Sequence, residues 1–271
     1  PGVVLLLLSG LLIGRSGLGL VEPLDLGKGL ETIVGLLVSL VLFDGGLNLR
    51  FPGETIKSIV LRISSIRLII SLAAGFLAAH WFAGLGWSVA AVYSAIVLAT
   101  GPTVVTPLVR QIRLASPLSD VLEAEGLILE PIGAVLALLL LELVVGDLHG
   151  WRELFLGLFS RLGGGVLFGS LAGLMLSEGL KRLRSEQYIG LRLQLTLGVI
   201  FLLYGVCEWL LPESGLPASV AAGFVVGQRP STQANELDKL IRELAQLAIT
   251  MLFPLLAADV SWGELSPLGW G

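Results

Sequence analysis

Thr100-Gly101-Pro102-Thr103 interrupts an apolar run that extends over residues 90–109. An apolar run of this length is typical of a helix that crosses a lipid bilayer. Proline removes a backbone donor and clashes with the preceding turn, so carbonyl groups just before the break lose their helical partners. We therefore predict a discontinuous helix near residues 100–103, broken at Gly101 and Pro102. The hydroxyl groups of Thr100 and Thr103 could bind a small cation there, and a plain proline kink is the alternative.

The composition of the chain predicts its broad class. Of the 271 residues, 55% are hydrophobic and only 14% are charged, and the mean hydropathy is +0.90. These values differ from those of soluble domains, and the short alternating segments of a transmembrane barrel are not seen. We predict an all-α polytopic membrane protein with about nine transmembrane helices. The predicted segments lie near residues 2–14, 29–49, 66–86, 88–109, 118–146, 154–180, 189–211, 216–228 and 241–262.

Lysine and arginine residues collect on one side when the loops are assigned alternately to the two sides of the membrane. Three of them, Arg15, Lys28 and Arg152, fall on the side that follows the first segment. The other side is cytoplasmic by the positive-inside rule. We expect Arg161, within the sixth segment, to snorkel or to pair with a carboxylate. The thirteen residues of the cytoplasmic side are Arg50, Lys57, Arg62, Arg67, Arg110, Arg113, Lys181, Arg182, Arg184, Arg192, Arg229, Lys239 and Arg242.

A weak internal repeat relates the two ends of the chain. Residues 10–14 read GLLIG and precede a polar loop and a helix that ends with LFD at 42–44. Residues 223–227 read GFVVG and precede a polar loop and a helix with LFP at 252–254. The two copies start on opposite sides of the predicted membrane, which is the inverted-repeat architecture of many secondary transporters. Chance similarity between helices rich in glycine and leucine is the alternative.

The repeat predicts three parts along the chain. Residues 1–146 would form the first repeat, with the core helices and the ion site, and residues 147–188 a linking helix of the interface. Residues 189–271 would begin the second, inverted repeat and leave it incomplete. Because the chain opens inside an apolar run, we expect both ends to be cuts through a longer protein.

Glu130 is the leading candidate for an ion-binding residue, because it lies in the middle of the apolar fifth segment. A carboxylate at that depth is costly unless it is protonated, paired or hydrated. One such site can hold either a proton or a cation, and this competition is the minimal chemistry of an antiporter. The alternative is a permanently protonated Glu130 that makes a structural hydrogen bond between helices.

Two further acidic residues could belong to the same region. Asp44 ends the second segment, where the helix dipole disfavours a carboxylate, so we predict a second carboxylate of the site. An interfacial role for Asp44 is the alternative. Glu125 lies deeper in the fifth segment than Glu123 and is the better candidate for a buried ion pair. The predicted cation, Na⁺ or K⁺, would then meet Glu130, Asp44 and Thr100.

The motifs of several other functional classes are missing from the sequence. It contains no P-loop, no HExxH, no GxGxxG beside a strand and no nucleophile–His–acid set. One cysteine, Cys207, allows neither a disulfide nor a metal framework. We predict no enzymatic activity, no cofactor and no nucleic-acid partner.

Four stretches resemble the monovalent cation:proton antiporters, specifically the branch of sodium/proton exchangers. They are residues 42–49, 99–106, 122–131 and 214–227, and they occur in the order of the family. The resemblance implies a core domain with crossing discontinuous helices, an interface domain and elevator-like alternating access. It also implies a homodimer in the inner (plasma) membrane.

The resemblance implies a role for each matching residue. Glu130 matches the ion- and proton-binding aspartate of the family, Thr100 a threonine at the ion, and Asp44 an acidic residue near it. Glu125 matches a glutamate that pairs with an arginine on a later helix, which would lie beyond Gly271. The chain also departs from the family at three places. It has Gly101 where many members have an aspartate, and Leu129-Glu130 where they have an Asn-Asp pair. Gly126 replaces a small residue with a hydroxyl group.

These observations predict a secondary transporter that exchanges a monovalent cation, Na⁺ or K⁺, for protons. Glu130 would alternate between proton and cation, assisted by Asp44 and the opened backbone near Thr100. A cation channel or efflux pathway on the same fold is one alternative, and a membrane sensor that does not transport is another.

Overall fold

The computed structural model describes residues 2–49, 54–99, 118–183, 189–229 and 235–260, together with positions 105, 109, 112, 114 and 115. These residues are almost entirely helical and contain no β-strand. The all-α prediction is therefore confirmed for this part of the chain. The helices are α1 Gly2–Ile13, α2 Lys28–Asn48, α3 Glu54–Trp81, α4 Trp87–Leu98, α5 Leu118–Val145, α6 Trp151–Arg182, α7 Ile189–Leu210, α8 Gly215–Gly227 and α9 Asn235–Ala258, with a 3₁₀ turn at Pro23–Leu26 before α2.

Each described helix corresponds to one predicted segment, and the ends differ by four or more residues for α3, α4 and α9. Helices α2, α3, α5, α6, α7 and α9 are long and apolar enough to cross a membrane, whereas α1, α4 and α8 are shorter apolar helices. Helix α3 begins at Glu54 rather than near residue 66, because its first turns are polar and hydropathy marks only the apolar part. Helix α4 ends at Leu98. The predicted break at Thr100–Thr103 lies outside the described residues.

A glycine stripe brings α6 into close contact with α8. Gly165, Gly169 and Gly173 recur at every fourth position of α6, and all three are buried. A methyl group at Gly169 would lie 2.1 Å from the carbonyl oxygen of Ala218 on α8. Small residues permit this backbone approach, which stabilises helix pairs in lipid through van der Waals contact.

The two inverted copies exchange packing partners. A methyl group at Gly223 of α8 would lie 2.2 Å from the carbonyl oxygen of Phe43 on α2. At the equivalent place of the other copy, a methyl group at Gly10 of α1 would lie 2.4 Å from the carbonyl oxygen of Pro254 on α9. The first helix of each copy therefore packs on the second helix of the other. This reciprocity is what two inverted copies related by a pseudo-two-fold axis produce.

The described helices pack in two groups. Helices α3, α4 and α5 contact one another, while α1, α2, α6, α7, α8 and α9 assemble around α2 and α8. The groups meet where α5 packs against α6, with smaller contacts from α5 to α2 and α8. The predicted parts 1–146, 147–188 and 189–271 follow the repeat along the chain rather than this packing, and they stay a prediction.

An ion pair joins the two groups near the end of the membrane that is predicted to be external. Arg161 of α6 donates from Nη2 to both carboxylate oxygens of Glu142 on α5, at 2.9 and 3.0 Å. The side chains are only 13% and 23% exposed. Of the two alternatives for Arg161, pairing with a carboxylate is thus the one that the structure contains.

We expect removal of one partner of this pair to destabilise the protein more than removal of both. Glu142→Leu should lower the free energy of unfolding by about 3 kcal/mol, because it leaves the Arg161 charge buried without a partner. The double substitution with Arg161→Leu should restore most of this loss. Thermal unfolding of the detergent-purified protein measures both effects. If the single and double variants unfolded at the same temperature, the pair would not be a coupled unit.

The loop between α7 and α8 is organised by a carboxylate. Glu208 accepts hydrogen bonds from the backbone N–H groups of Glu213 at 2.9 Å and Gly215 at 3.1 Å, so it caps the first turn of α8. Glu213 adopts a left-handed backbone conformation with φ of 64°. Burial raises the pKa of the Glu213 carboxyl, the neighbouring Glu208 raises it further, and Arg161 partly opposes the shift.

This raised pKa makes Glu213 a source of pH-dependent stability. The carboxyl group is neutral in both folded and unfolded states at low pH, and the folded state loses stability as pH rises through the higher folded pKa. Glu213→Gln should therefore raise the melting temperature at neutral pH and leave it unchanged near pH 4. An equal change at both pH values would contradict the assignment.

Candidate ion-binding site

Glu130 lies near the middle of α5, between the two ends of the membrane-spanning part. Helix α5 has 28 residues. With a rise of about 1.5 Å per residue, Glu130 is about 18 Å from the start of a helix that is about 42 Å long. Its carboxylate oxygen Oε2 is buried and has no hydrogen-bond partner among the described residues. Because an isolated buried carboxylate is costly, this oxygen requires a proton or a cation.

Pro131 adds an acceptor beside this carboxylate. It lies within α5, directly after Glu130, and it is buried. Proline has no N–H group, so the carbonyl of Leu127, four residues earlier, loses its usual helical donor. A continuous helix thus contains, close to Glu130, one carbonyl oxygen without its usual helical donor.

The end of α4 packs against α5 one turn beyond Glu130. Helix α4 has 12 residues, and at about 1.5 Å per residue it crosses only about 18 Å of a hydrocarbon core that is about 30 Å thick. A methyl group at Gly133 would lie 3.1 Å from the carbonyl oxygen of Ala95 and 3.1 Å from Cβ of Ala99. Ala99 immediately precedes the predicted break. The carbonyl end of this short helix, which carries partial negative charge, therefore contacts α5 one turn from Glu130.

The end of α2 contacts the same part of α5 from another direction. A methyl group at Gly45 would lie 2.7 Å from Cδ1 of Leu127. Leu127 and Leu42 belong to one buried apolar cluster that also includes Leu216 of α8. Asp44 directly precedes Gly45 in α2, and Leu127 precedes Glu130 by about one turn of α5.

Asp44 is bonded to a residue on its own helix. Asn48 donates from Nδ2 to Asp44 Oδ1 and to the Asp44 carbonyl oxygen, each at 2.8 Å. Arg242 of α9 donates from Nη2 to Asn48 Oδ1 at 2.6 Å. Asp44 is partly buried, and the arginine brings positive charge to the C-terminal end of α2, where the helix dipole favours a cation.

Glu125 forms an ion pair with a residue of an earlier helix. Its Oε1 lies 3.1 Å from Nη1 of Arg67 on α3, and the side chains are 4% and 34% exposed respectively. The resemblance implied an arginine on a helix beyond Gly271. Among the described residues Arg67 takes the position of ion-pair partner, and it ties α3 to α5 within one packing group.

This arrangement is suited to a small cation or a proton. It provides carboxylate and carbonyl oxygens at the depth of Glu130, which are hard ligands for Na⁺ or K⁺. Within the described ranges, no group of three or more His, Cys, Asp and Glu side chains converges as a metal site. Thr100 and Thr103, the remaining predicted ligands, and Gly101 and Pro102 of the predicted break lie outside those ranges.

Sequence reasoning identified the acids of this region but not the side chains that hold them. Arg67 and Arg242 were interpreted only as markers of the cytoplasmic side, and Asn48 only as part of a motif. The contact between Asn48 and Asp44 could be predicted from the sequence, because residues four apart lie on one face of a helix. The pairing of Arg67 with Glu125, and of Arg242 with Asn48, depends on helix packing and has no local signal.

A family model described as "Sodium/hydrogen exchanger, transmembrane" matches residues 1–270. Among curated proteins, the "Probable Na(+)/H(+) antiporter 2" of Methanocaldococcus jannaschii is 25% identical over 181 residues, which cover 62% of this chain and 42% of that protein. The "Na(+)/H(+) antiporter NhaH" of Halobacillus dabanensis is 27% identical over 288 residues, which cover 100% of this chain and 70% of that protein.

A solved structure has the same fold. The sodium proton antiporter MjNhaP1 from Methanocaldococcus jannaschii, at pH 8, superposes with a TM-score of 0.80 at 23% sequence identity. The superposition covers 98% of this chain and 66% of that chain. The chain thus spans less than half of the first of these curated relatives and about two thirds of the solved structure.

Proposed function

This chain belongs to the transmembrane family of sodium/hydrogen exchangers, and on that premise we propose that its full-length protein exchanges a monovalent cation for protons across the membrane. The observation that carries the proposal is the meeting of α4 and α5, where Ala99 at the end of a half-length helix contacts Gly133, one turn from Glu130, whose Oε2 has no hydrogen-bond partner among the described residues. A buried carboxylate at mid-membrane depth, close to the end of a short helix, suits one small cation or one proton.

Glu130 has the central role in the proposed exchange. When it is ionised, the carboxylate and nearby carbonyl oxygens bind Na⁺ or K⁺. When it takes up a proton, the negative charge is lost and the cation is released. Because both cannot occupy the carboxylate at once, a protein that reorients only when this site is loaded couples the two movements.

The other predicted site residues assist Glu130 in this scheme. Asp44 supplies a second negative charge from the end of α2, and Thr100 and Thr103 supply oxygen ligands next to Ala99. Glu125, through Arg67, keeps α3 and α5 together so that the Glu130 helix moves with its neighbours. The group of α3, α4 and α5 is the candidate moving unit, because its contacts with the rest of the described chain are few.

The membrane context and assembly belong to the same proposal. The protein is a multi-pass membrane protein, and we place it in the inner (plasma) membrane as a homodimer in contact with the lipid bilayer. The part that contains α1, α2 and α6–α9 would serve as the fixed interface domain. The parts 1–146, 147–188 and 189–271 would be the first repeat, its linking helix and the start of the second repeat.

Exchange in sealed vesicles tests the proposed function. The full-length protein is reconstituted with an acidic interior and a pH-sensitive dye, and Na⁺, K⁺ or choline is then added outside. We expect Na⁺ or K⁺, but not choline, to collapse the pH gradient when the membrane potential is clamped with an ionophore that does not carry the test cation. Absence of proton movement with every cation would contradict exchange and favour a sensor.

The same preparation separates an exchanger from a channel. A channel would pass current in planar bilayers without a counter-moving proton, and its ion flux would persist without any pH gradient. An exchanger gives cation uptake that scales with the proton gradient and no unitary currents. Detection of uncoupled unitary currents would overturn the proposal in favour of the channel alternative.

A further inference from the structure

A chain of hydrogen bonds links Asp44 to helix α9 at the cytoplasmic ends of α2 and α9. Asn48 lies one turn after Asp44, and its Nδ2 donates to Asp44 Oδ1 and to the Asp44 carbonyl oxygen, each at 2.8 Å. On the other side, Arg242 donates from Nη2 to Asn48 Oδ1 at 2.6 Å. The three residues therefore connect a candidate cation ligand to a helix from the other repeat.

The hydrogen-bond donors that meet at Asn48 fix the orientation of its side-chain amide. An asparagine side chain has one oxygen that only accepts and one nitrogen that only donates, and a guanidinium only donates. Arg242 therefore holds the oxygen, which turns the nitrogen toward the acceptor oxygens of Asp44. A charge-assisted hydrogen bond such as the one from Arg242 is stronger than a neutral one, so the amide does not flip freely.

We propose that Asn48 and Arg242 are positioning residues that hold the Asp44 carboxylate in the direction in which it meets the cation, and thereby set the affinity for the cation. This inference rests on the proposed function, because it needs a cation that binds near Asp44. Asn48 fixes the carboxylate, and Arg242 fixes Asn48 from outside the α2 helix. Neither residue touches the cation itself.

The neighbourhood contains a matched control for a purely structural role. Gln228, which directly follows α8, donates from Nε2 to the carbonyl oxygen of Leu49, which directly follows α2, at 3.3 Å. This bond also holds the cytoplasmic end of α2 to another helix, but it does not reach Asp44. If bracing of the helix end were all that matters, loss of Gln228 would have the same effect as loss of Arg242.

The experiment measures cation-dependent exchange by the full-length protein in vesicles and separates KM from the maximal rate. Asn48→Ala should raise KM for the transported cation about ten-fold, the lower end of the size expected for one lost hydrogen bond to a charged group, and leave the maximal rate within about two-fold. Arg242→Ala should raise KM about two- to three-fold, because Asn48 remains but is no longer held. Arg242→Lys keeps a donor and should restore a KM close to that of the wild type.

Two outcomes would overturn the inference in an active protein. One is an unchanged KM in Asn48→Ala, and the other is a rise in KM of the same size in Gln228→Ala. Arg242 is exposed, so if Asn48→Ala did not fold, the Arg242→Ala and Arg242→Lys pair would decide alone. Failure of the proposed function is distinguishable, because the wild-type protein itself would then show no cation-dependent exchange.

Discussion

Glu130→Gln is expected to abolish cation-driven proton movement in vesicles, down to the level of protein-free controls. Glutamine is nearly isosteric, so α5 should keep its packing, but it has no negative charge for a cation and no proton to release. Because Oε2 of Glu130 is buried and has no hydrogen-bond partner in the part of the chain that the structure describes, this is the largest single effect that we predict. Dye dequenching on addition of Na⁺ or K⁺ measures it.

Two comparisons on the same helix make this prediction specific. Glu130→Asp keeps the carboxylate and should retain exchange with an altered KM, since the side chain is one methylene shorter. Glu123→Gln makes the same chemical change nearer the start of α5 and should retain most of the wild-type rate. The assignment of Glu130 fails if Glu130→Gln exchanges cations as the wild type does.

Gly169→Leu is expected to prevent stable folding of the membrane domain. Its Cβ would lie 2.1 Å from the Ala218 carbonyl oxygen, and backbone atoms cannot move aside as a side chain can. Overpacking in a core usually costs about 1–3 kcal/mol, and separation of α6 from α8 should exceed that range because the whole glycine stripe loses contact. The yield of monodisperse protein in mild detergent and its melting temperature measure the loss.

Gly163→Leu is the control for this substitution. It makes the same change on the same helix, but among the described residues no atom beyond its own helical turn lies within 4 Å of a methyl group at Gly163. We expect this variant to be obtained in wild-type yield and to melt within a few degrees of the wild type. Equal melting temperatures for the two variants would mean that α6 and α8 do not pack through the glycine stripe.

Helix number and class were predictable because both follow from local properties of the sequence. An apolar run of sufficient length forms a helix in lipid since no other structure satisfies its backbone groups. The start of α3 at Glu54 was not predictable in this way, because helical hydrogen bonds continue past the apolar part into polar turns. Hydropathy indicates which residues lie in the lipid, whereas backbone hydrogen bonds determine where the helix begins and ends.

Residues of the candidate site could be predicted where a charged side chain occurs within an apolar run. Glu130 was identified because a carboxylate in an apolar run is costly, and this physical reason does not depend on packing. Arg67 and Arg242 gave no such signal, because both lie at the cytoplasmic ends of predicted apolar segments, where arginines are ordinary. Their partners Glu125 and Asn48 come from other helices, and only the folded arrangement brings each pair together.

The exchange of partners between the two repeats has a consequence for biosynthesis. Helix α1 packs on α9, the last described helix, so α1 leaves the ribosome well before its contact surface has been synthesised. Contacts so distant in sequence form slowly, and each repeat is incomplete as an autonomous folding unit. Insertion into the bilayer must therefore precede assembly, and a chain released after α7 would leave the glycine faces of α1, α2 and α6 open to lipid or to wrong partners.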